Sequence, residues 1–226
     1  MHLIQQSVHL QLPPGQTGVQ MAKACEYAAR NCYASQDRIT DDSYKAFLKA
    51  LIQRGHTAPL EFGTLTYDFT TSRAVLAEIT RHRLASFCVE SQRYIQEAQT
   101  GDISFIFPSW YFEVDENDPE KYKNMRELWL DSIAAAEDNY KAMIECGAKP
   151  EEAREVLPNS TACRIIMSAN LREWKNIFSL RCGKAAYPQM RALASEALLQ
   201  AWQAVPVIFD DLYEQYIATK PPDQQQ

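Results

Sequence analysis

The sequence predicts an α/β chain of the α+β type, in which a single domain holds a mixed or antiparallel sheet flanked by helices. Stretches with apolar residues at helical spacing are interleaved with short stretches that alternate apolar and polar residues, and this mixture is typical of the class. The sequence has no Gly-x-Gly-x-x-Gly motif, no P-loop and only seven glycines. A Rossmann fold is therefore not expected, and any phosphate would have to be held by side chains.

Length and composition favour one domain. The chain has 226 residues, 46% of them apolar, and no Pro/Gly/Ser-rich linker divides it. We expect the domain to span residues 1–219 and residues 220–226 to form a polar, frayed tail. The N-terminal residues lack the basic and apolar segments of a signal peptide, and no apolar run approaches the roughly 20 residues that span a bilayer. We expect a soluble, cytoplasmic protein without a membrane partner.

The first elements follow from local patterns. Residues 3–12 alternate loosely and end at a Pro-Pro-Gly turn, which predicts a strand. Apolar residues recur at helical spacing over 19–33, and a capped helix is predicted from 40 to a stop at Gly55. Residues 62–70 alternate as a half-buried strand does.

The next stretch concentrates most of the chemistry. Ser72 is a candidate N-cap for a helix whose last turn would carry Arg81, His82 and Arg83. Successive helical residues turn by about 100°, so the two arginines would point in different directions and serve two ligands or two parts of one ligand. An isolated Arg-His-Arg triplet also fits a C-terminal cap with surface ion pairs.

The remaining elements are predicted in the same way from spacing and turn residues. Short strands are expected where apolar residues cluster between turn signals, and helices where they recur every three or four residues. These elements are a strand at 103–107, a long helix at 118–146, a short helix at 150–157, a strand at 161–169, and helices at 170–181, 188–205 and 207–218.

Charge argues against a general nucleic-acid surface, because the formal net charge is −6 and phosphate-backbone binding needs clustered, uncompensated cations. Many arginines nevertheless fall in the middle of the chain, which indicates a local pocket for a small polyanion such as a nucleotide. Dispersed ion pairs with the acidic residues are the alternative. These arginines are Arg73, Arg81, Arg83, Arg93, Arg154, Arg164, Arg172 and Arg181.

The six cysteines are scattered without metal-ligand spacing, so we expect reduced thiols and no metal site. Cys25 and Cys32 are seven residues apart on one predicted helix, and both are expected to be buried as small apolar side chains.

Four blocks of this sequence resemble the flavin-dependent thymidylate synthases. Arg-His-Arg, seven residues and then Ser91 is the signature of that family. It is preceded by Gly-His-Thr-Ala-Pro-Leu-Glu at 55–61 and followed by Ala-Arg-Glu-Val-Leu-Pro at 153–158. Asn170, Arg172, Asn176 and Leu180-Arg181 then complete the family pattern.

The resemblance implies reductive methylation of dUMP to dTMP. 5,10-Methylenetetrahydrofolate would be the carbon donor, and FAD reduced by NADPH would carry the hydride. It also implies a homotetramer with active sites shared between subunits. A pyrimidine-nucleotide hydroxymethylase on the same scaffold and a noncatalytic nucleotide-binding homologue are the alternatives.

Residue roles follow from the same resemblance. Arg181 would be the catalytic residue that polarises the uracil, since a planar guanidinium satisfies two acceptors at once. The residues expected to hold FAD are His56, Glu61, Arg81, His82, Arg83, Val89, Asn170, Leu171, Arg172 and Asn176. Those expected to bind dUMP are Glu78, Arg81, Val89, Glu90, Ser91, Gln92, Arg93, Arg154 and Arg181.

The signature departs from its family at Val89, where many members carry Glu or Gln. We expect a main-chain contact here, and the alternative is that Glu90 rotates in to replace the missing polar group. Ser91 is expected to position the nucleotide, because nothing in the sequence indicates a Ser-His-acid triad built on it.

Overall fold

The computed structural model of the protein describes residues 1–92 and 103–218. The strands are β1 His2–Ile4, β2 Ser7–Gln11, β3 Thr64–Ser72, β4 Ala85–Val89, β5 Ser104–Ile106 and β6 Ala162–Asn170. The helices are α1 Gly18–Asn31, α2 Ser43–Gln53, α3 Arg73–Ile79, α4 Pro119–Glu145, α5 Pro150–Ala153, α6 Leu171–Arg181, α7 Pro188–Ala204 and α8 Asp210–Tyr213. Short 3₁₀ turns occupy Gln36–Arg38, Ala58–Phe62 and Arg154–Val156, and a π-helical turn occupies Glu214–Ala218.

The strands form two sheets. Four of them are arranged in the order β2-β3-β6-β4, and β1 pairs in parallel with β5 so that Leu3 lies opposite Phe105. The mixed α+β class predicted from the sequence is confirmed, and the order of the elements is not that of a Rossmann fold. The domain boundary at 219 stays a prediction.

The described residues divide into two compact units whose segments alternate along the chain. The first unit contains Met1–Ser7, Phe69–Arg81 and the described part of Cys88–Ile165. The second contains Val8–Asp68, His82–Phe87 and the described residues from Ile166 onward.

The first unit has a core between α4 and the β1-β5 pair. Ile103, Phe105, Ile133 and Tyr140 are buried together there, with Trp129 packed against them. The carboxylate of Glu137, on the buried side of α4, accepts a hydrogen bond from the Ile103 backbone N–H at 3.0 Å. The buried residues of this helix are Ile133, Glu137 and Tyr140.

Aromatic side chains fix one helix in the core of the second unit. Trp174 of α6 packs edge-on against Tyr67 of β3 at 4.7 Å between ring centroids, and its indole N–H donates to the Leu65 carbonyl at 3.0 Å. The Tyr67 hydroxyl donates to the Ala197 carbonyl of α7 at 2.8 Å. These contacts fix α6 against β3, and α6 carries several of the predicted site residues.

The predicted placement of Arg81, His82 and Arg83 on the last turn of a helix is wrong. Ser72 caps α3 as predicted, with its side chain accepting from the Val75 N–H, but the helix ends at Ile79. The Thr80 hydroxyl donates back to the Leu76 carbonyl at 2.8 Å, which satisfies an end carbonyl of the helix. The triplet therefore lies in the connection between α3 and β4.

Strand β4 was not predicted from the sequence, although its residues alternate. Ala85, Phe87 and Val89 are half-buried, whereas Ser86 and Cys88 are exposed. The strand lies beside β6 in the sheet, and the Glu90 N–H that follows it donates to the Arg164 carbonyl at 2.9 Å. The signature is thus extended over Ala85–Val89, just before Ser91.

Other predictions need smaller corrections. The single strand predicted at 3–12 is two strands in different sheets. The predicted helix at 207–218 starts only at Asp210, because Val207 has a left-handed φ of 73° that a helix cannot include. Cys32 follows the end of α1 and is exposed, so only Cys25 of that pair is buried.

All six cysteines are free thiols. Burial raises the pKa values of Cys25 and Cys163 to about 11, so neither is a nucleophile at neutral pH. In the described ranges, no helix combines the length and apolarity needed to cross a membrane. The same ranges contain no group of His, Cys, Asp and Glu side chains arranged to hold a metal ion.

Gly18, at the start of α1, provides a test of the packing in the second unit. A Cβ atom at this position would lie 1.9 Å from the Ala204 carbonyl oxygen, and backbone cannot yield as a flexible side chain does. We expect Gly18→Ala to lower the free energy of unfolding by about 3 kcal/mol, the upper end of overpacking effects. Urea denaturation measures this.

Gly183→Ala is the matched control, because its Cβ would approach the Ser179 carbonyl oxygen only to 3.9 Å. It should change stability by less than about 0.5 kcal/mol. Equal effects of the two substitutions would show that the close approach at Gly18 is not a constraint.

Candidate active site

The two units divide the predicted site residues between them. The second unit contains most of the residues expected to hold FAD, together with the expected catalytic arginine: His56, Glu61, His82, Arg83, Asn170, Leu171, Arg172, Asn176 and Arg181. The first unit contains most of those expected to bind dUMP: Glu78, Arg81, Val89, Glu90, Ser91, Gln92 and Arg154. Arg93 lies outside the described residues.

Helix α6 follows β6 directly, without an intervening loop. Asn170 ends β6, and its side-chain oxygen accepts from the Glu173 N–H at 2.8 Å as an N-cap. The next residue, Leu171, is fully buried and donates its backbone N–H to the Gly63 carbonyl at 2.9 Å. Leu171 therefore belongs to the scaffold of the site.

A polar cleft of about 390 Å³ lies along the first turns of α6. Arg172 Nη1 lies 2.6 Å from Glu61 Oε1 at this cleft, and both side chains are about half exposed (53% and 48%). Asn176 also lines it, with Nδ2 at 3.3 Å from each oxygen of Glu173. The cleft thus brings four predicted residues together: Glu61, Asn170, Arg172 and Asn176.

A second cleft of about 330 Å³ shares Arg172 with the first. His56 lines it just after Gly55, whose φ of +74° is the left-handed conformation that glycine tolerates best. His56 Nδ1 lies 3.5 Å from the Tyr33 hydroxyl oxygen. Tyr33 and Cys32 were missed from the sequence, because they follow the end of α1, far along the chain from any motif.

His82 and Arg181 are in direct contact. Arg181 ends α6, and its Nε–H donates to His82 Nε2 at 2.9 Å. The imidazole is buried, with 6% of the residue exposed, while Arg81 and Arg83 on either side are exposed. Because a guanidinium can only donate, the Nε2 atom must be unprotonated.

The third member of this cluster is Glu173, a buried carboxylate on the first turn of α6. Its Oε1 atom lies 3.6 Å from His82 Nδ1, which is an ion-pair distance slightly longer than a hydrogen bond. Burial and the Arg181 cation lower the pKa of His82 below 6.5, while Glu173 acts in the opposite direction. The imidazole is therefore neutral at neutral pH.

The first unit presents donors around β4. The Glu90 side chain accepts from the Arg164 backbone N–H at 3.1 Å, and Arg73 Nη2 donates to the Glu90 carbonyl at 3.2 Å. The Glu90 side chain is therefore turned toward β6, and the contact expected at Val89 stays a prediction. Among the described residues, Arg73 Nε and Gln92 Nε2 are buried without a hydrogen-bond partner.

Comparison with known proteins identifies the family. The family model described as thymidylate synthase complementing protein matches residues 18–207. A flavin-dependent thymidylate synthase from Geobacter sulfurreducens is 33% identical over 195 residues, which cover 83% of this chain and 80% of that protein. Another, from Corynebacterium glutamicum, is 31% identical over 214 residues, which cover 86% and 81%.

The chain belongs to the flavin-dependent thymidylate synthase family. The resemblance found in the sequence motifs is therefore confirmed, and so is the enzyme class, a methyltransferase. A solved structure of a UMP/dUMP methylase from Streptomyces cacaoi, bound with 5-Br dUMP, has a TM-score of 0.78 and 19% identity. That match covers 98% of this chain and 100% of the other. It supports the fold alone.

The electrostatics of the His82–Arg181 contact can be tested by titrating His82. Removing the Arg181 cation should raise the pKa of His82, because that cation lowers it in the wild-type protein. We expect Arg181→Gln to shift the His82 titration to higher pH in NMR spectra of histidine-labelled protein. Arg38→Gln changes an exposed arginine outside both clefts and should leave it in place.

The sign of the associated stability follows from the lowered pKa. The stabilisation that neutral His82 gives to the folded protein is fully present above pH 6.5, the pKa of histidine in the unfolded chain. It is lost as the pH falls through the lower pKa of His82 in the folded protein. An unchanged or lower His82 pKa in Arg181→Gln would contradict the contact.

Proposed function

We propose that the protein catalyses the reductive methylation of dUMP to dTMP, with 5,10-methylenetetrahydrofolate as carbon donor. FAD, reduced by NADPH, is the proposed hydride carrier. The observation that carries this proposal is the Arg181–His82 contact at the end of the helix whose beginning lines the polar cleft. One rigid element thus carries both the expected flavin residues and the expected catalytic arginine.

The residues of the two clefts suit a flavin nucleotide. Because the sequence offers no glycine-rich phosphate loop, side chains must supply the donors, and Arg172, Asn176 and His56 are exposed at the clefts. Glu61 holds the Arg172 guanidinium beside the cleft. When bound, FAD would supply the hydride chemistry, for which the protein provides binding and orientation.

Arg181 is proposed to hold the uracil ring. Its Nε–H is committed to His82, so two acceptors of the base would be met by the Nη1 and Nη2 edge of the guanidinium. A cation placed there stabilises negative charge on the ring and raises the electron density at the carbon that receives the methyl group. Arginine suits this role better than lysine, since its planar fork fixes an orientation.

The nucleotide-binding role of the first unit rests on its buried donors. Arg73 Nε and Gln92 Nε2 are without acceptors among the described residues, and a buried donor without a partner carries a desolvation cost of about 1–3 kcal/mol. A bound phosphate or base would satisfy such donors. Ser91, Arg93 and Arg154 are proposed to act with them on dUMP.

Three further features belong to this proposal. The enzyme is proposed to be a homotetramer with shared active sites, to act in the cytoplasm, and to bind no nucleic acid. The open clefts of the second unit suit sites completed by another subunit, and the acidic net charge of −6 argues against nucleic-acid binding.

Anaerobic spectroscopy and product analysis test the proposed function together. The purified protein should show a flavin spectrum that bleaches on addition of NADPH. It should convert dUMP into a product with the mass of dTMP only when methylenetetrahydrofolate is present. A colourless protein that binds no added FAD, or a hydroxymethylated product, would contradict the proposal.

Replacing Arg172 tests the flavin site without a large cost in stability. An exposed ion pair contributes about 0–1 kcal/mol, so Arg172→Ala should barely change the melting temperature. Loss of a charge-assisted contact should weaken FAD binding about ten- to a hundredfold, as measured by fluorescence titration. Arg38→Ala, which removes an exposed arginine outside the clefts, should leave FAD affinity unchanged. Unaltered FAD affinity in Arg172→Ala would exclude Arg172 from the flavin site.

Replacing Arg181 by lysine separates charge from geometry. Lysine keeps the cation but loses the fork and the Nε–H contact with His82, so turnover should fall more than dUMP affinity does. We expect about a ten- to hundredfold loss in kcat and a smaller change in the Kd measured by calorimetry. Arg191→Lys, in α7, is the matched control and should keep both values. Equal losses in the two quantities, or none, would contradict the role of Arg181.

A further inference from the structure

Glu173 is a buried carboxylate at the centre of the second unit's polar contacts, and the proposed chemistry does not yet assign it a role. Only 6% of the residue is exposed. Its backbone N–H is capped by Asn170, both of its carboxylate oxygens lie 3.3 Å from Asn176 Nδ2, and Oε1 lies 3.6 Å from His82 Nδ1. Burying a carboxylate costs free energy unless hydrogen bonds or opposite charges compensate, so the partners of Glu173 indicate its role.

We propose that Glu173 is a positioning residue that selects the Nδ1–H tautomer of His82 and thereby fixes the guanidinium plane of Arg181. This inference rests on the proposed function of Arg181. It assigns to His82 a task different from the flavin contact expected from the motif.

The tautomer follows from the donors and acceptors present. Arg181 Nε has a hydrogen to donate and no lone pair to offer, so His82 Nε2 must carry its lone pair toward it. The single proton of a neutral imidazole is then on Nδ1, which faces the Glu173 carboxylate. A buried N–H needs an acceptor nearby, and Glu173 supplies one with a full negative charge.

The Arg181 cation opposes protonation of the His82 ring, whereas the Glu173 carboxylate favours it. Arg181, His82 and Glu173 carry positive, neutral and negative charge in sequence along the contact. A second proton on His82 would remove the acceptor of Arg181 and place two cations at a hydrogen-bond distance of 2.9 Å. Burial adds to this, because desolvation disfavours the imidazolium ion.

Replacing Glu173 should leave Arg181 present but allow its guanidinium to take several orientations. An arginine side chain has several rotatable bonds, so a fixed Nε contact restricts the orientation of its terminal edge. Small misplacements of a catalytic group can lower a rate by as much as about a hundredfold. Binding of dUMP has other contributors, so its affinity should respond much less than turnover.

Two substitutions distinguish positioning from simple structural support. Glu173→Gln keeps the shape and an oxygen acceptor but removes the charge, whereas Glu173→Ala removes both. Glu196→Gln changes an exposed helical glutamate outside the clefts and is the matched control. Thermal unfolding of each variant reports whether the protein still folds, and the near-isosteric Gln variant keeps the test usable if the Ala variant does not.

The first measurement is NMR of protein labelled with ¹⁵N-histidine, with His82→Gln used for assignment. In the wild-type protein His82 should be the neutral Nδ1–H tautomer. In Glu173→Ala that tautomer should lose population to the neutral Nε2–H form, with Glu173→Gln intermediate and Glu196→Gln unchanged. An Nε2–H tautomer in the wild-type protein, or the same tautomer in all variants, would overturn the proposal.

The second measurement separates kcat from dUMP affinity. We expect kcat to fall about tenfold in Glu173→Ala, less in Glu173→Gln, and dUMP Kd to change by less than about threefold. Unchanged kcat, or parallel losses in kcat, affinity and melting temperature, would assign Glu173 a purely structural role.

These outcomes remain distinguishable from failure of the proposed function. A wild-type protein that makes no dTMP would refute that function, while the tautomer of His82 would still show whether Glu173 controls the ring.

Discussion

The close approach of Gly63 and Leu171 is the constraint on which the candidate site depends. The Leu171 N–H donates to the Gly63 carbonyl at 2.9 Å, and a Cβ atom at Gly63 would lie 2.5 Å from the Leu171 side chain. The start of α6 is therefore fixed against the segment that follows the 3₁₀ turn Ala58–Phe62. Arg172, the next residue of the helix, consequently lies beside Glu61 of that turn.

The same helix places the expected catalytic arginine at its other end. Trp174 is buried and bonds to the Leu65 carbonyl of β3, so the helix can neither slide nor rotate without loss of core contacts. Rigid secondary structure positions functional side chains more accurately than loops do. The buried His82 then adds a local restraint, because it accepts the Nε–H of Arg181 only while it is neutral.

Local sequence signals predicted the elements that depend on local physics. The Ser72 cap, the Gly55 stop, the alternation in β3 and the periodicity of α4 are set by neighbouring residues, and the structure confirms each of these elements. Strand β4 was missed, because its apolar alternation is short and its pairing partner β6 lies far along the chain. The end of α3 was placed too late: the Leu76 carbonyl accepts both the backbone N–H and the hydroxyl of Thr80, and the helix does not continue to Arg81.

The candidate site was predicted in its composition but not in its connections. Motif spacing selected Glu61, Arg172, His82 and Arg181, and the structure brings them together as two pairs. The buried carboxylate of Glu173 was not selected. Its role depends on His82, which is about ninety residues away in sequence, and no local pattern encodes that contact.

A crystal structure of the protein with FAD and dUMP bound tests the central claim most directly. The account predicts that Arg181 meets the uracil with its Nη1 and Nη2 edge while its Nε remains on His82. It also predicts that FAD contacts Arg172 and Asn176 along the first turns of α6. A complex in which Arg181 has left His82, or in which the uracil lies away from Arg181, would contradict it.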